Sequence, residues 1–373
     1  MTAFKKIVVI GAGTMGSGIA AHLANSERQV ILLDLKGKES PNQISEKAID
    51  LIKKSDPPLL VERSRLGFIK PGNLTDDFDE IKDADWIIEA VVERIDIKHT
   101  LYNQIDKVRS PHSIVSSNTS TIPLSILTQE MSDSMKSDFC ITHFFNPVRF
   151  MRLLEIVETP LMNIEKISSL RDFCKNELGK GIVNCNDTPG FIGNRIGVYA
   201  MQVAMYEALD RGLNVEIADA LFGRPLGIPK TGVFGLYDLI GIDLMKDVLA
   251  SFKKELQEND PFMEVVKPHI IVEKLLEKGF TGNKGPGGFY ETKIIDDNEI
   301  VKALNTSDMS YYDFDKVDLD IARRVEKEGI KALLNDESEY GRYAFAVLSK
   351  IINYSAFCIP EVSSKITDID DAL

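Results

Sequence analysis

The sequence predicts an α/β fold, a doubly wound parallel sheet followed by an all-helical second domain, and three observations carry that prediction. A glycine-rich turn, Gly11-Ala12-Gly13-Thr14-Met15-Gly16, directly follows an apolar run and opens an amphipathic stretch. Short apolar runs then alternate with longer amphipathic ones through the first half, as in a parallel sheet covered on both faces by helices. Beyond Asp187-Thr188-Pro189-Gly190 the apolar residues recur at helical spacing instead.

Taken in order, the expected strands are 7–10, 30–33, 86–92, 114–116 and 139–145, with 153–157 and 181–185 as two more at the sheet's edge. The mostly polar stretch 36–85, amphipathic over 45–54, is expected to carry helices outside the sheet. Thr188 reads as the cap of a helix with Pro189 in its first position, running through Leu209 and ending near Gly212. The segment TGNKGPGGFYE, residues 281–291, closes one helical unit. After it, 343–373 weakly repeats 198–221, with Ile217-Ala218-Asp219-Ala220-Leu221 answered by Ile369-Asp370-Asp371-Ala372-Leu373. The first copy continues and the second stops, so a fragment of a longer chain is expected. The expected organisation is a nucleotide-binding domain over 1–186, a helical substrate domain over 187–290, and a linker with an incomplete second repeat over 291–373.

Composition narrows the function classes. The 373 residues are enough for two cores, since single cores stop growing at roughly 250 to 300 residues. With 44% apolar and 27% charged residues the profile is that of a globular protein. A formal charge of −13 opposes non-specific binding to nucleic acid or to an anionic membrane. Cys140, Cys174, Cys185 and Cys358 show neither C-x-x-C nor metal-ligand spacing, so no metal is expected, and they read as free thiols of a reducing compartment. Lys5 and Lys6 ahead of an apolar run could open a signal peptide, but glycines at 11, 13, 16 and 18 break the run. No other segment is apolar long enough to span a bilayer, and the chain is expected to be cytoplasmic.

The turn fits G-x-G-x-x-G between a strand and a helix, which makes the sheet Rossmann-type. Its glycines permit a tight turn, close approach of a pyrophosphate and helix-on-strand packing, while the helix N-terminus receives the phosphate charge. Asp34 ends the next strand, where a carboxylate accepts from an adenosine ribose and repels a 2′-phosphate, so NAD is expected over NADP. His143, in HFFNPV, falls at the carboxyl end of a strand, where open α/β sheets bind ligands. Glu155 follows on the next short strand, where a carboxylate is costly to bury without a partner. An imidazole oriented by a carboxylate is a general base for removing a hydroxyl proton.

With KIVVIGAGTMGSGIA, EAVVERIDIKHTLY, SSNTSTIPLS, HFFNPV, LLEIV, DTPGFIGNR and GPGGFYE in order, the chain resembles the L-3-hydroxyacyl-CoA dehydrogenases of fatty-acid β-oxidation over about residues 5–290. The resemblance implies that (S)-3-hydroxyacyl-CoA is oxidised to 3-ketoacyl-CoA with NAD, with His143 as base and Glu155 as its partner. It further implies that Ser120 bonds the 3-hydroxyl oxygen and Asn194 meets the thioester region. Glu93, Lys98, Ser120 and Asn146 become contacts of the nicotinamide nucleotide, and Gly11, Gly13, Thr14, Met15, Gly16 and Asp34 hold the rest of the cofactor. Taken alone, Glu93 and Lys98 would be a charged helix face, and Ser120 and Asn194 ordinary turn and helix-surface residues. The run over 53–76 replaces the family's usual CoA-contacting helix and loop, so no CoA contact carries over, although Lys53 and Lys54 are candidates. Beyond 290 the chain resembles the longer bacterial enzymes, which implies a downstream enoyl-CoA hydratase-like domain in the full-length protein and a homodimer through the helical domain. A β-hydroxyacid dehydrogenase acting on a small free acid would use a lysine base in the helical domain, and the His143–Glu155 pair opposes that alternative. A non-catalytic protein that kept the fold is opposed by intact His143, Glu155 and Asn194.

Overall fold

The computed structural model describes residues 4–226, 228, 231–295, 298–314 and 317–373, with the backbone alone at 293–295 and 298–300. The chain forms two compact units, one ending at Asn194 and including Ile359–Leu373, the other Arg195–Cys358.

The first unit is built on eight strands: β1 (Lys6–Ile10), β2 (Gln29–Asp34), β3 (Ile69–Asn73), β4 (Trp86–Glu89), β5 (Ile114–Ser117), β6 (Phe139–Phe144), β7 (Leu153–Glu158) and β8 (Gly181–Asn184). Their order is β3-β2-β1-β4-β5-β6-β7-β8. The chain first winds outward from β1 to β3 and then restarts beside β1 at β4, which opens a crevice at the carboxyl ends of β1 and β4. Every pairing is parallel except β6 with β7, which run antiparallel with His143 directly opposite Glu155. Helices α1 (Thr14–Asn25), α2 (Gln43–Lys54), α3 (Ile95–Val108), α4 (Leu124–Leu127), α5 (Asp133–Lys136) and α6 (Ile164–Asn176) connect the strands. Residues 7–10 and 30–33 are wholly buried, as strands covered on both faces must be. Ile19 and Leu23 of α1 and Leu170 and Phe173 of α6 belong to one core cluster with Val9 and Trp86. Burying each such side chain contributes roughly 1.5–3 kcal/mol. The polar edge of Trp86 is met by the Ser116 hydroxyl, which accepts from Nε1 at 2.9 Å.

Four expectations are corrected. The stretch 36–85 contributes a sheet strand, β3, as well as helix α2. Pro71 and Gly72 inside β3 hide it from pattern reading, and an edge strand tolerates both. The helix expected from Pro189 begins instead with α7 (Gly193–Asp210). Phe191 stands at φ 50°, which interrupts the turn, and the N–H groups of Ile192 and Gly193 are taken by Glu155.

The second unit continues α7 with α8 (Val215–Leu221), α9 (Phe234–Ile240), α10 (Ile242–Glu255) and α11 (Ile270–Glu277). The antiparallel strands β9 (Tyr290–Ile295), β10 (Asn298–Asn305) and β11 (Ser310–Asp313) come next, then α12 (Asp320–Glu328), α13 (Lys331–Leu334) and α14 (Glu339–Phe357). The expected helical second domain stands with α7 to α11, and it is the stretch expected as a linker that begins instead as a three-stranded sheet. Among the described side chains of these strands only Ala303 and Leu304 are buried, so their charged sequences lack a long apolar run. The carboxylate of Asp238 accepts from Phe289 N at 2.9 Å and Tyr290 N at 2.8 Å, which ties down the segment closing the first set of helices.

The last correction concerns the chain's final residues. Helix α15 (Ile366–Ala372) packs against β8, and Asn186 N donates to Val362 O at 2.8 Å while its carboxamide donates to Pro360 O and Glu361 O. Val362 and Ile369 are buried there, so residues 359–373, expected to read on as part of a second helical copy, belong with the first unit's sheet instead.

Candidate active site

The fingerprint glycines stand in three different environments. A Cβ on Gly11, at φ 103°, would lie 2.4 Å from Ala90 O, and one on Gly16 would lie 1.7 Å from Gly11 O, so both are required by packing. A Cβ on Gly13 would meet nothing within 4 Å, which leaves open space in front of the first turn of α1. Thr14 and Met15 open that helix, whose initial N–H groups lack intrahelical partners and face an incoming anion. Asp34, at the end of β2, accepts from Ala12 N at 2.5 Å and Leu35 N at 2.6 Å and so also holds the loop in shape. A cleft of about 620 Å³ runs along this edge, bordered by Gly11, Gly13, Asp34, Val91, Ile97 and Leu101. Open space at Gly13, a carboxylate at the end of β2 and apolar walls fit a dinucleotide.

The cross-strand pair forms the second part of the site. His143 Nδ1 lies 2.7 Å from Glu155 Oε2, and both residues are buried, Glu155 completely. The other carboxylate oxygen accepts from Ile192 N at 2.9 Å and Gly193 N at 2.6 Å. An acceptor-only carboxylate requires Nδ1 to carry its proton, which leaves Nε2 with a free lone pair. Nε2 makes no hydrogen bond among the described residues. Phe145 and Phe191 pack on the imidazole with ring centroids 4.4 Å and 5.8 Å away. Through its two backbone donors Glu155 also fixes the start of α7, where Asn194 is the second residue.

Ser120 lies on the turn after β5, which is tied to the strand carrying His143 on one side and to Asp187 on the other. Asn118 Oδ1 accepts from Phe144 N at 2.9 Å, next to His143, and Asp187 accepts from Leu124 N at 2.6 Å and Ser125 N at 2.9 Å. Glu93 accepts from Ser120 N at 3.0 Å. Lys98 is buried at 1% exposure between Glu89 and Glu93, so the charged-face alternative fails for it. The structure thus joins His143, Glu155 and the backbone beside Asn194 directly, and Ser120, Glu93 and Lys98 through hydrogen bonds. Asn146 is exposed just after β6, and Lys53 and Lys54 are exposed at the end of α2, where Lys53 pairs with Asp50 at 2.9 Å. The four cysteines are buried and form no disulfide among the described residues, and burial pushes the thiols of Cys140, Cys174 and Cys185 up, which removes them as nucleophiles. Sequence reasoning missed Glu89, Asn118 and Asp187, which support the site from behind. Each stands within a motif already singled out, so position inside EAVVER, SSNTS and DTPGF was the available signal.

Comparison with known proteins gives this arrangement a family. Residues 6–188 match the 3-hydroxyacyl-CoA dehydrogenase NAD binding domain, and residues 190–292 match the C-terminal domain of the same family. A putative fatty acid oxidation complex trifunctional enzyme of Rickettsia felis is 40% identical over 99% of this chain, which spans 51% of that protein. The chain therefore covers about half the length of that relative. A probable 3-hydroxyacyl-CoA dehydrogenase of Deinococcus radiodurans is 35% identical over 77% of this chain and 82% of its own length. The 3-hydroxybutyryl-CoA dehydrogenase of Escherichia coli, at 24% identity and a TM-score of 0.73 over 99% of this chain and 88% of that one, shares the fold. No helix among the described residues is long and apolar enough to cross a membrane. With both family domains matched in order around the His143–Glu155 pair and the glycine turn, the chain belongs to the 3-hydroxyacyl-CoA dehydrogenase family.

Proposed function

We propose that this chain oxidises (S)-3-hydroxyacyl-CoA to 3-ketoacyl-CoA, with NAD as hydride acceptor, as a step of fatty-acid β-oxidation. The observation that carries the reading is the 2.7 Å contact between His143 Nδ1 and the fully buried Glu155. NAD, when bound, supplies the electrophilic carbon that takes the hydride. His143 Nε2 takes the hydroxyl proton as the C3–H electron pair leaves and the carbonyl forms. Glu155 stabilises the resulting imidazolium and keeps the ring in its tautomer. Ser120 holds the hydroxyl oxygen and Asn194 the thioester arm, while Glu93, Lys98 and Asn146 border the nicotinamide nucleotide. Asp34 meets the adenosine ribose and disfavours a 2′-phosphate.

The same reading assigns the wider context. Buried free thiols support a reducing compartment, the cytoplasm. The trifunctional name of the Rickettsia relative supports joint action with an enoyl-CoA hydratase-like domain. Phe345 and Ile352, more than half exposed on α14, support a homodimer through the second unit, which light scattering will detect.

The deciding experiment is NADH production from 3-hydroxyacyl-CoA by wild type and His143→Gln. Wild type turns over with NAD and poorly with NADP, and the variant loses about 100-fold or more while still binding NADH. Near-normal turnover in the variant removes His143 from the chemistry.

A further inference from the structure

The end of β4 carries a carboxylate that neither the glycine turn nor the His143–Glu155 pair uses. Glu89 is completely buried. Its Oε1 accepts from Val91 N at 2.8 Å and Lys98 Nζ at 2.7 Å, and its Oε2 accepts from Ser117 Oγ at 2.6 Å and from the Tyr102 hydroxyl. Two donors on each oxygen is the pattern of an ionised, acceptor-only carboxylate. The Lys98 ammonium also faces Glu93 Oε2 at 3.1 Å, and Glu93 Oε1 accepts from Ser120 N at 3.0 Å. On the other side, Ser117 Oγ accepts from Thr119 N at 3.2 Å. Ser117, Glu89, Lys98, Glu93 and Ser120 therefore close a ring of hydrogen bonds around the turn 117–120. One ammonium meets two carboxylates, so the ring carries one net negative charge. Neighbouring Arg94 pairs with Asp96, at 3.2 Å and 2.5 Å, and leaves that charge uncompensated.

We propose that Glu89 is a positioning residue for the redox end of the cofactor: it closes the ring that fixes the Ser120 turn, and the ring's single negative charge makes the site prefer the cationic ring of NAD⁺ to the neutral ring of NADH. The inference rests on the proposed dehydrogenase reading, in which Glu93, Lys98 and Ser120 border the nicotinamide. The two cofactor forms differ there by one unit of charge. At an effective dielectric of about 20, one uncompensated charge in the site changes their relative affinity on the order of tenfold.

The test is the ratio of dissociation constants for NAD⁺ and NADH, measured by titration calorimetry on the full chain. Glu89→Gln neutralises the ring with little change of shape and is expected to shift the ratio about tenfold toward NADH. Glu89→Gln combined with Lys98→Met returns the ring to one negative charge and restores the wild-type ratio, even if both affinities fall. Tyr102→Phe removes a donor without removing charge and leaves the ratio unchanged. A purely structural Glu89 would weaken both cofactors equally, and that result, or a double variant that keeps the shifted ratio, overturns the proposal. If Glu89→Gln does not fold, Glu93→Gln removes the same charge from the ring's outer end, and an unchanged ratio there is equally decisive against it. Wild type that binds neither cofactor would instead refute the dehydrogenase reading itself.

Discussion

Replacing Glu155 by glutamine changes one heavy atom and is expected to remove the base without removing the fold. The carboxylate meets three strong donors, Ile192 N, Gly193 N and His143 Nδ1, within 2.9 Å. A glutamine must keep its single carbonyl oxygen for the two backbone N–H groups, because a buried unpaired N–H costs about 1–3 kcal/mol each. Its NH₂ then faces Nδ1, which can only accept, so the ring proton moves to Nε2 and the lone pair needed for the substrate hydroxyl is gone. Loss of a general base costs about 10² to 10⁴ in rate. A loss of about 10³ corresponds to about 4 kcal/mol at 1.36 kcal/mol per decade. Stability changes less than the rate, since all three hydrogen bonds persist and lose only their charge assistance. Initial rates of NADH formation, NADH affinity by fluorescence and melting by calorimetry separate the two effects. A Glu155→Gln enzyme with turnover close to wild type would refute the tautomer argument, and so would one whose loss of rate merely tracks a loss of fold.

The environments of the glycines make a paired expectation: Gly13→Ala folds normally but loses NAD affinity, whereas Gly16→Ala, whose Cβ would sit 1.7 Å from Gly11 O, lowers the melting temperature. Equal melting temperatures for the two variants would contradict it. Buried groups in the two units, His22 in the first and Asp219 and Asp238 in the second, should also contribute pH dependences of opposite sign. Burial lowers the His22 pKa from 6.5 to about 4, so the unfolded chain takes up a proton first and the first unit loses stability as pH falls through that window. In the second unit burial raises Asp219 from 3.8 to about 7 and Asp238 to about 6. There the folded chain keeps protons the unfolded one gives up, and stability is lost as pH rises through the same range. Hydrogen exchange followed against pH will show both contributions, with His22→Gln removing the first and Asp219→Asn reducing the second. Slopes left unchanged by both substitutions would be the contrary result.

What could be read from the sequence follows from where physical signals are local. Strands β1, β2, β5 and β6 are covered on both faces, so each reads as an apolar run. β3 is hidden because an edge position lets Pro71 and Gly72 into a strand, and β9 to β11 because so few of their described side chains are buried that their charges stay in place. The true start of α7 depends on Glu155, remote in sequence from Gly193, so no local cap could locate it. The same distance explains the site. His143, Glu155 and the fingerprint glycines carry their chemistry in their residue types, whereas Glu89 looks like the polar end of an apolar run until Lys98 and Ser117 are folded against it. Residues 359–373 read as a second helical copy by pattern, yet Asn186 and β8 draw them to the first unit.

The antiparallel pairing of β6 with β7 has a consequence for how such an enzyme can change. His143 and Glu155 meet because they are directly opposite neighbours in one ladder, with Thr142 opposite Ile156 and Phe144 opposite Leu154 on either side. Their alignment is set by interstrand bonds and by the apolar residues that must face inward, with Phe145 at the start of the connection over 145–152 packed on the imidazole. On the proposed roles, reshaping that connection around Asn146, beyond Phe145, is expected to retune cofactor contacts while the His143–Glu155 contact is preserved. A single residue inserted within 153–158 would turn Glu155 to the opposite face of the sheet and uncouple it from the imidazole at once. The chemistry is heritable as a register, and binding preferences are free to drift in the loop beside it.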